Sequence, residues 1–275
     1  MKKTIIAGLL ATAANFANAG NVLVVVSDLD KLDLKDGKVM QSGFFLNELM
    51  EPVQAFIAAG HTVVFATPSG KAPSVDQKSD DVNFFGGNEK ARQESLALLA
   101  TLKLTSKTNS PAISLAQVKH IGYDKFDAVF VPGGHIPMQD LSRDKALGEL
   151  LTDFHNKNKV TAMTCHGTIA LLSAVPDARG YVATLESGKR SKPAKWIYEG
   201  YKMTAFTDEE EEQSKAVLGG GHMKLFPQDG LVAAGGAFAE GKPWSVNVVE
   251  DRELITGQNP QSAKGVAETM LAKLH

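Results

Sequence analysis

The sequence predicts a doubly wound α/β fold: a mostly parallel sheet with helices on both faces, plus a small cap from inserted loops. Two observations carry that expectation. Short apolar runs rich in valine alternate with segments of helical periodicity from residue 21 onward, the pattern of βαβ units around a buried parallel sheet. In addition, Gly133-Gly134 and the chain's one cysteine, Cys165, each follow such a run almost directly. In open α/β sheets ligands bind at the carboxyl ends of the strands, where these residues would lie.

The first residues stand apart. Lys2 and Lys3, an apolar stretch over 5–14 and the small-x-small triplet Ala17-Asn18-Ala19 compose a secretory signal peptide. It is too short and wrongly flanked for a membrane anchor. Cleavage is expected after Ala19, which makes the protein secreted or periplasmic and leaves residues 20–275 as one domain. The formal net charge is −2. Such a chain lacks the basic patch that attracts nucleic acid or anionic lipid. A single cysteine permits no intrachain disulfide, so the core alone must hold the exported fold.

Residues 21–27 are read as the first buried strand, and 28–41 as a polar loop. Residues 43–59 have helical periodicity through Phe44, Leu49, Val53, Phe56 and Ile57, with Gly60 as the stop. Pro52 lies inside this pattern, so a break or kink is expected near Met50. Residues 61–66 form the second strand, 68–87 a loop, and 88–104 an amphipathic helix. The charges Glu89, Lys90, Arg92 and Glu94 read as its solvated face. Strands follow at 126–131 and 160–164, with a helix over 143–156 between them. A small-residue helix is expected over 167–174, then an irregular stretch over 175–226. Short strands are expected at 231–234, 246–250 and 253–256. Asn259 as N-cap and Pro260 at the first helical position open a closing helix over 261–274.

The strand-Cys165-His166-Gly167-helix order is that of a nucleophile elbow, which holds one reactive side chain above a sheet. A helix start favours thiolate over thiol, and His166 supplies a proton acceptor next door. A lone cysteine otherwise fills a core; the elbow context favours a nucleophile. Glycines after a strand, as in Pro132-Gly133-Gly134, bare backbone N–H groups for an oxyanion, and the His166 N–H offers a second donor. The P-loop lysine and spacing are missing. Glu48 lies among Phe45, Leu49 and Pro52, near the apolar stripe. A carboxyl group there is desolvated, with a raised pKa suited to proton transfer with a thiol. The seven histidines show no metal-ligand spacing, so no zinc site is expected. His135, after the glycine pair, is a candidate to line the pocket, but both it and His222 read as polar loop residues incidental to the chemistry. Loops 71–87 and 179–200 are expected to shape the pocket, with Trp196 and Tyr198 as candidate lining.

Taken together, Gly43-Phe44-Phe45-Leu46-Asn47-Glu48, Pro52, Thr67-Pro68-Ser69-Gly70, Val131-Pro132-Gly133-Gly134-His135, Met163-Thr164-Cys165-His166-Gly167 and Leu254-Ile255-Thr256-Gly257-Gln258-Asn259-Pro260 resemble the PfpI superfamily. That superfamily has a class I glutamine amidotransferase-like, flavodoxin-like fold, and the chain is most similar to its heat-shock chaperone and glyoxalase III branch. The resemblance implies Cys165 as nucleophile, His166 as its partner and Glu48 as the buried acid that bonds the cysteine. It implies the Gly134 and His166 amides as oxyanion hole. It nominates Glu211 as third acid, five residues after Phe206, with Glu210 and Glu212 of the same acidic run as the alternatives. The implied activity is glyoxalase III-like: conversion of methylglyoxal to lactate without metal, nicotinamide or glutathione. Other activities on this scaffold are a cysteine amidohydrolase or peptidase, a holdase chaperone with unfolded clients, and a thiol stress sensor. A small aldehyde is the implied partner; neither nucleic acid nor membrane is expected, and a homodimer is a candidate assembly only because dimers are the commonest oligomers. The branch is usually intracellular, so the export signal sets this chain apart.

Overall fold

The computed structural model describes residues 19–274, so the leader expected over 1–19 lies outside the described residues except for Ala19. In chain order, β1 (Asn21–Val25) leads into a two-stranded hairpin, β2 (Lys31–Asp33) and β3 (Val39–Gln41), then α1 (Leu46–Ala58) and β4 (Thr62–Thr67). Next come α2 (Glu89–Leu102), β5 (Ile113–Ser114), α3 (Leu115–Ile121), β6 (Ala128–Val131), α4 (Lys145–Asn156) and β7 (Val160–Thr164). After the elbow follow α5 (Ala178–Glu186), β8 (Lys202–Met203), α6 (Asp208–Ser214), α7 (Pro227–Ala234) and β9 (Ala237–Phe238). The chain closes with β10 (Val248–Asp251), β11 (Leu254–Gly257) and α8 (Ala263–Lys273).

Seven strands form the central sheet in the order β10-β11-β7-β6-β1-β4-β5. Every pairing in it is parallel except β10 with β11. Side chains alternate across the sheet. Val22 and Val24 face a layer containing Leu49, Val53 and Phe56 of α1 and Val266 and Met270 of α8. Leu23 and Val25 face the opposite layer, with Leu147, Leu150 and Leu151 of α4. The chain moves outward from β1 through β4 to β5, then returns to β6 on the other side of β1. That reversal opens a crevice at the carboxyl ends of β1 and β6, the usual ligand position in such sheets. Among the described residues no helix is long and apolar enough to cross a membrane.

Several local expectations are corrected. Residues 231–234 lie in helix α7, not a strand: Pro227 occupies its first turn and Gly235 closes it in the left-handed conformation, the Pro-in, Gly-out order of a helix. The loop over 28–41 contains the β2–β3 hairpin, which buries Leu32, Leu34 and Met40. The gap between 104 and 126 holds β5 and α3, and the stretch over 175–226 holds α5, β8 and α6. Helix α1 is not broken near Met50. It runs through a buried Pro52, and the hydrogen bond the proline removes is the one to the Glu48 carbonyl. Asn259 stands at the N-cap of the 3-10 turn Pro260–Ser262, but its side chain does not cap it. The residues after β7 form a 3-10 helix, Cys165–Ala174, buried from Cys165 to Ser173.

Candidate active site

Three strand ends converge on the site. In register, Val131 of β6 lies beside Met163 of β7, and Thr164 beside Gly257 of β11. The segments just beyond, Gly133-Gly134, Cys165-His166 and Gln258-Asn259, therefore emerge together. Thr164 is extended, whereas Cys165 is left-handed at φ 57. A side chain other than glycine is strained there, and such strain persists where the surroundings enforce it. The turn reverses the chain within one residue and lifts the thiol above the sheet.

Glu48 enters from the first turn of α1, whose start is tied to the β6 loop by the Phe45 N–H donating to the Gly133 carbonyl at 3.1 Å. A Cβ on Gly133 would lie 2.4 Å from Glu48 Oε2 and 2.7 Å from Cys165 Cβ. The acid and the cysteine thus flank one point, which only glycine leaves open. Gly134 has φ +100, and a Cβ there would lie 2.2 Å from the Gly43 carbonyl, so this loop packs directly on the start of the α1 segment.

On its other side Cys165 meets an imidazole. Sγ is 3.2 Å from His166 Nδ1, and His166 Nε2 is 2.9 Å from Glu211 Oε1. The ring is clamped between Phe206, at 4.6 Å between centroids, and His135, at 4.1 Å. The acidic run divides its work. Glu210 closes a capping box with Thr207 at the start of α6, and its Oε1 accepts from the Trp244 N–H, Gln258 Nε2 and Asn259 Nδ2. Glu212 faces solvent beside Lys215. Glu211 is the one of the three that reaches His166.

Burial controls the charges. It pushes Glu48 up to about 8, with the Cys165 thiol and the Gly133 amide pulling back only partly. No protein group meets either Glu48 oxygen in full hydrogen-bond geometry, so the acid is neutral at pH 7 and available to a ligand. Burial also pushes the thiol well above its ordinary range, and the nearby Glu48 adds to this. The expectation that the helix start yields a resting thiolate is therefore corrected: desolvation outweighs the dipole. Burial holds His166 near 3 and His135 near 3, while Glu211 is raised to about 7. With Nε2–H donating to the Glu211 carboxylate, the Nδ1 lone pair of a neutral His166 faces the thiol.

These groups surround a cavity of about 90 Å³, walled by Phe45, Phe84, Phe206, Val217, Trp244 and Pro260, with Glu48, Gly134, His135, Cys165 and His166 at its base. Loop 71–87 contributes Phe84, while loop 179–200 contributes nothing. Trp196 and Tyr198 are core residues instead; Trp196 Nε1 donates to the Leu171 carbonyl. His135 lines the cavity, where its place after the glycine pair puts it. His222 lies on a separate outer groove. Trp244 is the main residue the sequence reading missed. It is left-handed at φ 59, and its indole N–H donates to Gln213 at 2.6 Å.

A buried thiol on a strained strand-to-helix elbow, backed by a histidine–carboxylate pair and faced by a neutral acid, defines a thiol-nucleophile site on a flavodoxin-like α/β scaffold. A family model described as "ThiJ/PfpI family-like" matches residues 39–219, and the chain belongs to the ThiJ/PfpI family. It is 28% identical over 273 residues to a probable glutathione-independent glyoxalase, hsp3103, of Schizosaccharomyces pombe, covering 94% of this chain and 99% of that protein. It is 24% identical to glyoxalase 3 of Candida albicans, covering 91% and 97% respectively. Among solved structures, Francisella tularensis Rapid Encystment Protein 24 kDa superposes with a TM-score of 0.72 at 23% identity, covering 93% of this chain and 99% of that one; this likeness speaks to the fold.

Proposed function

We propose that this chain is a glutathione-independent glyoxalase that converts methylglyoxal and water to lactate. The Cys165–His166–Glu211 hydrogen-bonded chain, with Glu48 beside the thiol at the base of a small apolar cavity, carries this reading. The curated relatives named as glutathione-independent glyoxalases support it.

The geometry suggests the following sequence. As Sγ attacks the aldehyde carbon, its proton passes to His166 Nδ1, and Glu211 stabilises the imidazolium that forms. In this reading the amides of Gly134 and His166 donate to the developing oxyanion. His166 returns the proton to that oxygen, giving a hemithioacetal. The same Nδ1 then removes the C1 hydrogen as a proton, and Glu48, neutral at pH 7, donates its proton to the C2 oxygen. Proton return to C2, with loss of the C1 hydroxyl proton to the base, leaves a lactoyl thioester. Water cleaves the thioester to lactate, restoring the thiol. Atoms balance as one methylglyoxal plus one water, with no external oxidant or reductant.

The test is lactate formation from methylglyoxal without glutathione. Cys165→Ala is expected to lose at least about 10³-fold in kcat/KM, and Glu48→Gln about 10²-fold or more. Equal turnover by all three proteins would remove the proposal. The complete triad also suits amide hydrolysis, which needs a protonated leaving group. An acyl-enzyme formed from a small amide, with no lactate from methylglyoxal, would favour that alternative. For localisation, we propose export through the leader over residues 1–19. Amino-terminal sequencing of the protein from its native host would show Gly20 first, and an intact Met1 would contradict it.

A further inference from the structure

We propose that His135, His166 and Glu211 form an inhibitory site for a borderline-soft divalent cation such as Zn²⁺. The sequence holds no metal-ligand spacing, because the three residues come from the β6 loop, the elbow and α6. The fold nevertheless brings one ligand atom from each within 4.8 Å of the others, and all three residues are buried. Tetrahedral zinc with nitrogen and oxygen bonds near 2.0–2.1 Å holds its ligands about 3.4 Å apart, so modest side-chain rotations close this group on an ion.

A second observation points the same way. His135 is 8% exposed, and its Nε2 is buried without a hydrogen-bond partner. Leaving such an atom unmet is costly, and no step proposed above uses it. Its ring lies 4.1 Å from that of His166. Glu211 also lines the outer groove, of about 650 Å³, which offers the ion an entry route and a water as fourth ligand. Cys165 is outside the group. Its sulfur faces Nδ1 of His166, whereas Glu211 and the proposed ion lie on the Nε2 side.

The consequence for catalysis follows from the imidazole's single mobile proton. Zinc on Nε2 and on a Glu211 oxygen replaces their mutual hydrogen bond, and the Nε2 proton moves to Nδ1. Nδ1 then donates toward Sγ and no longer accepts from it. The base for the thiol is lost without any bond to Cys165.

Binding is tested on the purified protein, so the result does not depend on the aldehyde reaction. Zn²⁺ is titrated by calorimetry, and Co²⁺ serves as a spectroscopic probe. One ion per chain is expected, with the d–d bands of four-coordinate Co²⁺ and no thiolate-to-cobalt charge-transfer band. His135→Ala is expected to weaken binding by about tenfold or more, and Cys165→Ser to leave it unchanged. His135→Asn repeats the test with a bulkier polar side chain should the alanine variant fold poorly. Absence of binding would overturn the proposal. So would binding that survives both His135 variants, or that disappears in Cys165→Ser, which would place the ion on the thiol.

Discussion

At the residue scale, two buried carboxyl groups set the operating range. Glu211 must be ionised to hold the Nε2–H of His166; once protonated it donates instead, and the imidazole proton shifts to Nδ1, removing the base. Glu48 must keep its proton to act as an acid. With Glu211 raised to about 7 and Glu48 to about 8, kcat/KM is expected to rise with pH through about 7 and fall above about 8. Initial rates measured across that range check this, and a flat profile would contradict it. Glu48 also makes stability pH-dependent. Its ordinary pKa is 4.5 and its folded value about 8, so the folded state holds the proton longer. Its contribution to stability is therefore fully present below 4.5 and is lost up to about 8, at about 1.4 kcal/mol per pH unit. Glu48→Gln is expected to remove that slope, as thermal melts of both proteins over this range would show. Cys165 and Glu48 were legible in the sequence because each stands out from its surroundings: a lone thiol at a strand end, and an acid on an apolar stripe. His135 was not, since nothing in the sequence places its ring on that of His166.

At the element scale, α6 and the Trp244 turn form one unit. Glu210 caps α6 through Thr207 and also binds the Trp244 amide, so the helix that delivers Glu211 holds the indole wall as well. Thr207→Ala is expected to cost about 1 kcal/mol of stability and to lower kcat by loosening Glu211; chemical denaturation and steady-state kinetics read the two effects. Trp244→Ala is expected to open the cavity of about 90 Å³ and to raise kcat/KM for phenylglyoxal relative to methylglyoxal severalfold. An unchanged ratio would show that Trp244 does not limit substrate size. Three helices, α3, α5 and α6, escaped the sequence reading, and α3 and α6 did so although their capping patterns were written in it. Thr207-x-x-Glu210 precedes α6, and Ser114-x-x-Gln117 opens α3, the helix-start pattern. α3 and α6 have seven residues each, too short for apolar periodicity to show. α7 was misread because Leu231-Val232-Ala233-Ala234 is apolar without alternation, and Gly230 and Gly235 resemble strand boundaries as easily as helix ends.

At the scale of the whole molecule, the reversal of strand order around β1 accounts for the site. It opens the crevice in which the β6 loop, the elbow after β7, the turn after β11 and helix α1 meet. Alternating strands and helices made the α/β class legible, and strand ends followed by glycine or cysteine located the functional edge. The aromatic wall was not legible, because Phe84, Phe206 and Trp244 come from segments whose meeting depends on tertiary packing. The most direct test of the account is intact-protein and peptide mass spectrometry of enzyme acid-quenched during methylglyoxal turnover. The account predicts one methylglyoxal equivalent on Cys165 as the lactoyl thioester, absent once substrate is exhausted and absent from Cys165→Ala. Sustained lactate production with Cys165 unmodified, or with adducts confined to lysine and arginine side chains, would contradict it.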